Sequence, residues 1–226
     1  MMRGRNMDDV PVRTFFITLN SGAFALIRTF LFDMGNVLAF FSHDKMCEQM
    51  GGLCGRSGAE IQNLLIESGI QWEYERGRLS PAEFHSWFEQ TVGQSVDIQA
   101  LQTAGSDIFE LNSTIIPVLD ALKTQGYRLV LLSNTCVSHF EFIWNEFEVL
   151  QRFDDYVTSY TAGAIKPEPA IFQCALKKIQ CAPEEAFYTD DIVEYISQAR
   201  LLGMQAEVFT DTETLISQLA RREIVV

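Results

Sequence analysis

At 226 residues the chain has room for one α/β core and a modest inserted domain. Its composition, 47% hydrophobic, 21% charged and 12% aromatic with 17 Phe, can fill a packed core and excludes wholesale disorder. Seventeen basic residues against 30 acidic ones give a net charge of −13 with no dense basic patch. Such a surface repels a phosphate backbone, so no nucleic-acid polymer is expected as a partner, and a small anionic ligand needs positive charge supplied locally.

Residues 1–27 read as an N-terminal extension. Arg3, Arg5 and Arg13 precede an apolar stretch at 15–27 that loosely imitates a signal peptide. Asn20, Ser21 and Gly22 interrupt it, Asp8 and Asp9 sit among the basic residues, and no cleavage site follows. The readings left are a strand or arm added to the core, or a translated leader, since Met1, Met2 and Met7 all precede the stretch. No stretch has the uninterrupted apolar length that spans a bilayer, so no membrane partner is expected. Cys47, Cys54, Cys136, Cys174 and Cys181 form no C-x-x-C pair, which points to a reducing, cytoplasmic setting. His43, His85 and His139 lack zinc-ligand spacing.

Residues 28–33 are a short apolar run ending on a carboxylate, the pattern of a buried parallel strand. Past Leu38 the character changes for about seventy residues, in which helical patterns dominate and no strand is predicted. A helix is expected at 59–66 and another at 84–92, the latter opened by Ser80 as N-cap, Pro81 at the first helical position and Glu83 three residues after the cap. Residues 41–111 thus read as an inserted all-helical cap. Beyond it the pattern alternates: helix 115–124 ending at Gly126, strand 128–133, a helical segment at 138–150, strand 156–159, helix 169–179, and strand 186–189 running into Asp190-Asp191. Helix 194–202, strand 205–209 and a helix near 214–221 follow. Strands separated by helices predict an α/β fold, a Rossmann-like parallel sheet with helices on both faces, built from 28–40 and 112–226. Ligands of such sheets lie beyond the carboxyl ends of the strands.

Four polar elements fall at or just after those ends: Asp33, Ser133-Asn134-Thr135, Lys166 and Asp190-Asp191. Neighbouring strands lie about 4.8 Å apart, so their terminal side chains can share one ligand. Carboxylates at two such ends suit Mg²⁺, a hard cation that takes oxygen ligands. Alone, each has an innocent explanation as a helix cap or solvated turn. Their recurrence in this order is what argues for a site.

Phe-Leu-Phe-Asp33-Met-Gly-Asn-Val-Leu resembles the first motif of the haloacid dehalogenase superfamily, and Leu131-Leu-Ser133-Asn-Thr the second. Ala164-Ile-Lys166-Pro-Glu-Pro resembles the third, and Phe187-Tyr-Thr-Asp190-Asp191 the fourth, with Gly203 closing the helix after it. The D-x-G-N-V first motif is similar to that of small sugar-phosphate phosphatases, and the Lys166 segment to the phosphatase domain of soluble epoxide hydrolases. The resemblance implies a Mg²⁺-dependent phosphatase for a small phosphorylated metabolite, a sugar phosphate among the candidates. Asp33 would be the nucleophile, forming an aspartyl phosphate. Backbone N–H groups of Met34, Gly35 and Asn36 would hold phosphoryl oxygens, with Ser133 and the Asn134 backbone binding another and Lys166 neutralising charge. Asp33, the Gly35 carbonyl and Asp191 would be direct metal ligands, with Asp190 acting from a second position. Oligomeric state is left open.

Two departures stand out. Most family phosphatases carry a second Asp two residues after the nucleophile, as general acid and later base, and this chain has Gly35 there. Losing such help costs about 10²–10⁴-fold unless it is replaced. Three readings follow: an active phosphatase with a better leaving group or a borrowed acid, a metal-independent dehalogenase, or a catalytically weak binding or regulatory protein. The paired Asp190 and Asp191 favour phosphoryl chemistry over carbon–halogen cleavage. Second, Tyr195 stands where the family usually places an Asn or Asp in the metal's outer shell, with Glu194 alongside as a candidate replacement. His43, Trp72, Tyr74, His85 and Trp87 are either ordinary cap packing or residues that close over the nucleophile. His43 and Asp44 are the first suspects for a substitute acid. A response-regulator receiver fits poorly: it is shorter and has no helical insertion.

Overall fold

A five-stranded parallel sheet organises the chain in a computed structural model that describes residues 25–226. Residues 1–24 of the expected extension lie outside the described residues. Strand β1 (Thr29–Phe32) is followed by β2 (Ala39–Phe41), which enters an insertion of α1 (His43–Cys54), α2 (Gly58–Ser68), α3 (Ile70–Glu75), α4 (Pro81–Val92) and α5 (Ile98–Ser106). The chain returns through β3 (Phe109–Leu111), antiparallel to β2 with Ala39 opposite Leu111. Then come α6 (Ile116–Thr124), β4 (Arg128–Ser133), α7 (Val137–Glu146), β5 (Asp155–Thr158), the short α8 (Ser159–Ala162) and α9 (Pro169–Lys178). Strand β6 (Ala186–Asp190), α10 (Val193–Leu201), β7 (Gln205–Val208) and α11 (Thr212–Ala220) complete it.

The sheet order is β5-β4-β1-β6-β7. From the central β1 the chain builds outward through β4 and β5, then returns to the other side for β6 and β7. The connections after β1 and β6 therefore leave in opposite directions and open a crevice at their carboxyl ends, where ligands bind in such sheets. Alternation at period two divides the core. Phe30, Phe32, Leu129 and Leu131 pack on one face against Val118, Leu122, Ile143 and Leu215 of α6, α7 and α11. Leu31, Val130, Leu132 and Tyr188 pack on the other against Ile171, Phe172 and Ile196 of α9 and α10.

The insertion has its own core, in which Met46, Met50, Ile61, Leu65, Phe88 and Leu101 are buried together. Its helices begin as their sequences dictate. Ser57 and Ser80 each form a capping box, with Glu60 and Glu83 respectively, and Asp97 caps α5. Such caps are each worth about 1 kcal/mol.

The expectation of no strand past Leu38 is corrected by β2 and β3, which together form the two-stranded stem of the insertion. The expected helical segment at 138–150 breaks at Phe147, whose φ of −128° and ψ of 126° are extended, before a 3₁₀ turn at Glu148–Arg152. Among the described residues no helix is long and apolar enough to cross a membrane.

Candidate active site

Phe32, the last residue of β1, pairs with Leu131 of β4 on one side and Thr189 of β6 on the other. The next residues, Asp33, Leu132 and Asp190, therefore lie level across three adjacent strands. Lys166, from the loop before α9, reaches into this row. Its Nζ is 2.8 Å from Asp33 Oδ1 and 2.6 Å from Asp190 Oδ2. It also donates to the Leu132 carbonyl at 3.1 Å and to the Tyr188 hydroxyl at 3.2 Å. Asp33, Lys166 and Asp190 are 7%, 1% and 0% exposed, so their charges interact with little solvent screening.

Burial and the nearby Asp190 charge raise Asp33 to about 7 against the pull of Lys166. Burial alone would lower the Lys166 pKa, but Asp33 and Asp190 outweigh it and hold the ammonium charged. Asp190 is fully engaged: Oδ2 takes Lys166 and the Tyr188 hydroxyl, and Oδ1 accepts from Ile192 N at 2.8 Å. Tyr188, buried by the sheet and facing two carboxylates, keeps its proton far above its usual range. It is a site residue that the motifs alone did not reveal.

The turn after Asp33 is tight. Leu38 and Ala39 N–H both donate to the Met34 carbonyl, at 2.9 and 3.0 Å, and Asn36 N–H donates to the Ala39 carbonyl at 2.8 Å. Asn36 has φ +55°, a left-handed conformation that Asn tolerates better than most residues, and its Nδ2 donates to Asp191 Oδ2 at 2.9 Å. The side chain of Asn36 therefore positions an acid, while the Gly35 N–H has no acceptor among the described residues. Asn134 plays a similar part: its Oδ1 accepts from Lys166 N at 2.7 Å and its Nδ2 donates to the Lys166 carbonyl at 3.1 Å. Two bonds thus fix the Lys166 backbone to the end of β4. Ser133 is buried with its hydroxyl 3.4 Å from the Asn134 carbonyl, and it does not line the cleft.

That cleft, about 300 Å³, is walled by Asp33–Asn36, Asn134, Lys166, Asp191 and Tyr195 from the sheet side and by Phe41, His43, Gln71, Trp72 and Glu75 from the insertion side. Tyr195 lies with its ring 5.0 Å from Lys166 Nζ and its hydroxyl near Asn134 Nδ2 at 3.4 Å. It thus forms an aromatic wall over the ammonium rather than a ligand. Glu194 is exposed and outside the cleft, so it does not stand in for the usual outer-shell acid. Tyr74, His85 and Trp87 belong to the packing of the insertion or to the cavity inside it, not to the cleft wall.

Carboxylate oxygens of Asp33, Asp190 and Asp191 lie within 4.8 Å of one another. Asp33 Oδ1 is buried without an aligned hydrogen-bond donor. Lys166 Nζ is near it at 2.8 Å, close enough for an ion pair but outside hydrogen-bond angles, so the oxygen keeps a lone pair to offer. Three carboxylates against one ammonium leave the site negative. An all-oxygen donor set of that charge fits a divalent hard cation, which would also make the cleft hospitable to a phosphate.

The chain matches the haloacid dehalogenase-like hydrolases over residues 27–203. It belongs to that family. Among curated relatives, the D-ribitol-5-phosphate phosphatase of Bacteroides thetaiotaomicron is 27% identical over 191 residues, spanning 80% of this chain and 90% of that protein. The drimenol cyclase drtB of Aspergillus calidoustus is 24% identical over 198 residues, 86% of this chain but only 36% of the cyclase. A haloacid dehalogenase-family enzyme of B. thetaiotaomicron, solved as a variant bound to magnesium and inorganic phosphate, superimposes with a TM-score of 0.74 at 25% identity, covering 84% of this chain and 98% of that one.

The position of Gly35 is crowded by an aromatic ring. A Cβ built on Gly35 would meet Phe41 Cε1 at 2.8 Å, well inside contact. The aromatic ring at the end of β2 occupies the space into which the family's second Asp would grow. This hydrolase lacks that carboxyl, and the Phe41 ring would have to shift to admit one.

Proposed function

We propose that the protein is a cytoplasmic Mg²⁺-dependent phosphatase that hydrolyses a small phosphorylated molecule through an aspartyl phosphate on Asp33. The convergence of Asp33, Lys166 and Asp191 on one cleft at the crevice of the sheet carries this reading. Asp33 attacks phosphorus, and the Gly35 and Asn134 N–H groups, both without acceptors among the described residues, receive phosphoryl oxygens. Lys166 offsets charge on the nucleophile and the transferring group. Asp33, Asp191 and the Gly35 carbonyl would hold Mg²⁺, with Asp190 behind them fixing Lys166. The bound ion supplies Lewis-acid charge neutralisation at the phosphoryl group. Five free cysteines accord with a reducing compartment.

The likeness to a ribitol phosphate phosphatase makes sugar phosphates the first substrates to try. The blocked acid position beside Gly35 favours a second reading, a weak or inactive binder of the same ligands. Hydrolysis of 4-nitrophenyl phosphate and a sugar-phosphate panel, with Mg²⁺ or EDTA, separates the two. The phosphatase reading expects metal-dependent turnover that Asp33→Asn abolishes. Absence of metal-dependent turnover on every substrate leaves the binder.

A further inference from the structure

A phosphate ester of an ordinary alcohol leaves poorly as an alkoxide, so a proton must reach the ester oxygen from some group in the cleft. Gly35, two residues after the nucleophile, carries no acid to give it. The other titratable groups on the cleft wall are His43, Glu75, His139, Lys166, Asp191 and Tyr195. Lys166 is buried between two carboxylates, and Asp191 is bonded to Asn36. His139 donates Nε2–H to the Gly105 carbonyl at 2.9 Å and is kept neutral by burial. Burial lowers the His43 pKa as well, and its ring rests on Phe41 at 4.9 Å. Asp44 does not line the cleft.

Tyr195 accepts from Asn134 Nδ2 at 3.4 Å, and burial raises its pKa above the usual tyrosine value, so it holds its proton. Glu75 remains, and its placement is unlike the rest. It is the last residue of α3, and both of its neighbours are tied to the core. The Tyr74 hydroxyl bonds Ser138 Oγ of α7 at 2.5 Å, and the Arg76 guanidinium bonds Glu168 beside Lys166 at 2.5 Å. Gly77 then backs onto the carbonyl of Tyr160, where any Cβ would lie 2.2 Å from that oxygen. A three-residue clamp therefore holds Glu75 against the site. Its Oε1 accepts from Gln71 Nε2 at 3.1 Å, and Oε2 has no hydrogen-bond partner among the described residues. Burial raises its pKa, against the opposing effects of Gln71, His139 and Arg76, so the carboxyl retains its proton to higher pH than an exposed glutamate. Tyr195 of α10 shares the cleft wall with it, and Cys136, the N-cap of α7, shares with it the wall of the adjoining cavity inside the insertion.

Resting on the phosphatase reading above, we infer that Glu75 supplies the acid–base function that Gly35 cannot. As Asp33 Oδ bonds to phosphorus and the P–O ester bond breaks, the Glu75 carboxyl gives its proton to the departing oxygen, which leaves as the alcohol. The resulting Glu75 carboxylate then takes a proton from a water whose oxygen attacks the aspartyl phosphate. The P–O bond to Asp33 breaks, inorganic phosphate leaves, and Glu75 is protonated again.

The Glu75→Gln variant keeps the size and the Gln71 contact but carries no transferable proton. With Mg²⁺ present, kcat/KM is compared on 4-nitrophenyl phosphate, whose leaving group needs no proton, and on benzyl phosphate, whose leaving group does. The variant should lose about 10²–10⁴-fold on benzyl phosphate and only a few-fold on 4-nitrophenyl phosphate. On the latter it should release a burst of nitrophenolate stoichiometric with enzyme, because the second step lacks its base. The basic limb of the wild-type pH profile on benzyl phosphate should also vanish, and Glu75→Asp should recover part of the rate. Equal losses on both substrates, no loss on either, or an unchanged basic limb would overturn the role of Glu75 while leaving the phosphatase reading intact. A wild type inactive on both substrates would overturn that reading and this one together.

Discussion

Replacing Gly35 by Ala tests whether Phe41 truly excludes a side chain beside the nucleophile. The added Cβ would lie 2.8 Å from Phe41 Cε1, and ordinary contact begins near 3.4 Å, so the ring must retreat by about 0.6 Å. The shift would disturb its contacts with His43 and Phe109, whose ring centroids lie 4.9 and 6.1 Å away. Overpacking of this kind costs about 1–3 kcal/mol. For a chain of this size that corresponds to a fall in Tm of roughly 2–12 °C. Gly35 is not among the glycines with positive φ, so no backbone penalty adds to it. In a Phe41→Ala background the clash disappears, and Gly35→Ala should become neutral or stabilise by about 0.4–1 kcal/mol through the unfolded chain. Thermal and urea melts of the four proteins form a double-mutant cycle with a coupling of about 1–3 kcal/mol. The same penalty in both backgrounds, or none in the first, would refute the steric reasoning. A functional extension is Gly35→Asp, which should fail to raise turnover of benzyl phosphate alone and should raise it once Phe41 is truncated.

Lys166→Met leaves Asp33 and Asp190 buried side by side without their cation, and it should abolish turnover and destabilise by about 3–5 kcal/mol in urea; near-wild-type stability would show that the triad is not strongly coupled. Asn36→Ala removes the bond to Asp191 and puts a less tolerant residue at φ +55°. A Mg²⁺ titration of activity should show affinity weakened by about 10–100-fold, with Asn36→Gly equally weak despite its relaxed backbone. His139 is kept neutral by burial, so its folded pKa lies below the usual 6.5. Its stabilising contribution is present above that value and is lost as pH falls toward the folded pKa, by up to about 1.4 kcal/mol per pH unit. Urea midpoints measured at about pH 7.5 and about pH 5 should differ less in His139→Gln than in wild type, and an unchanged difference would count against this.

The α/β core was legible because its strands are strongly biased. Residues 129–132 are one apolar run between Arg128 and Ser133, and the strand β4 has the expected bounds of 128–133. Ser80, Pro81 and Glu83 mark the start of α4 through local chemistry alone, and the capping box is present. The stem strands β2 and β3 were not legible: with three residues each, they are too short for a period to show, and 67 residues separate them in the chain. Asp33, Asp190 and Asp191 could be picked out because they sit at or just past strand ends, and Lys166 because it falls in a polar turn between the predicted strand at 156–159 and the helix from 169. What their side chains do could not, since that depends on neighbours distant in sequence. Asn36 holds Asp191, Asn134 holds Lys166, and Tyr188 saturates Asp190. His43 drew attention by closeness to Asp33 along the chain, whereas Glu75 reaches the cleft only through the fold of the insertion.

The β2–β3 pairing has a consequence for how the protein can assemble and diverge. Bringing β1 beside β4 requires closing nearly a hundred residues of chain, an entropic cost that grows only logarithmically, by about 0.6 kcal/mol per doubling of length. Once Ala39 lies against Leu111, the insertion is tied off at its neck, and the sheet experiences a short link whatever the length beyond. The closure cost felt by the sheet thereby depends little on the length of the insertion. Length can change between the insertion's helices at little entropic cost to the sheet, whereas α3, which carries Glu75, is held to the core by Tyr74–Ser138 and Arg76–Glu168.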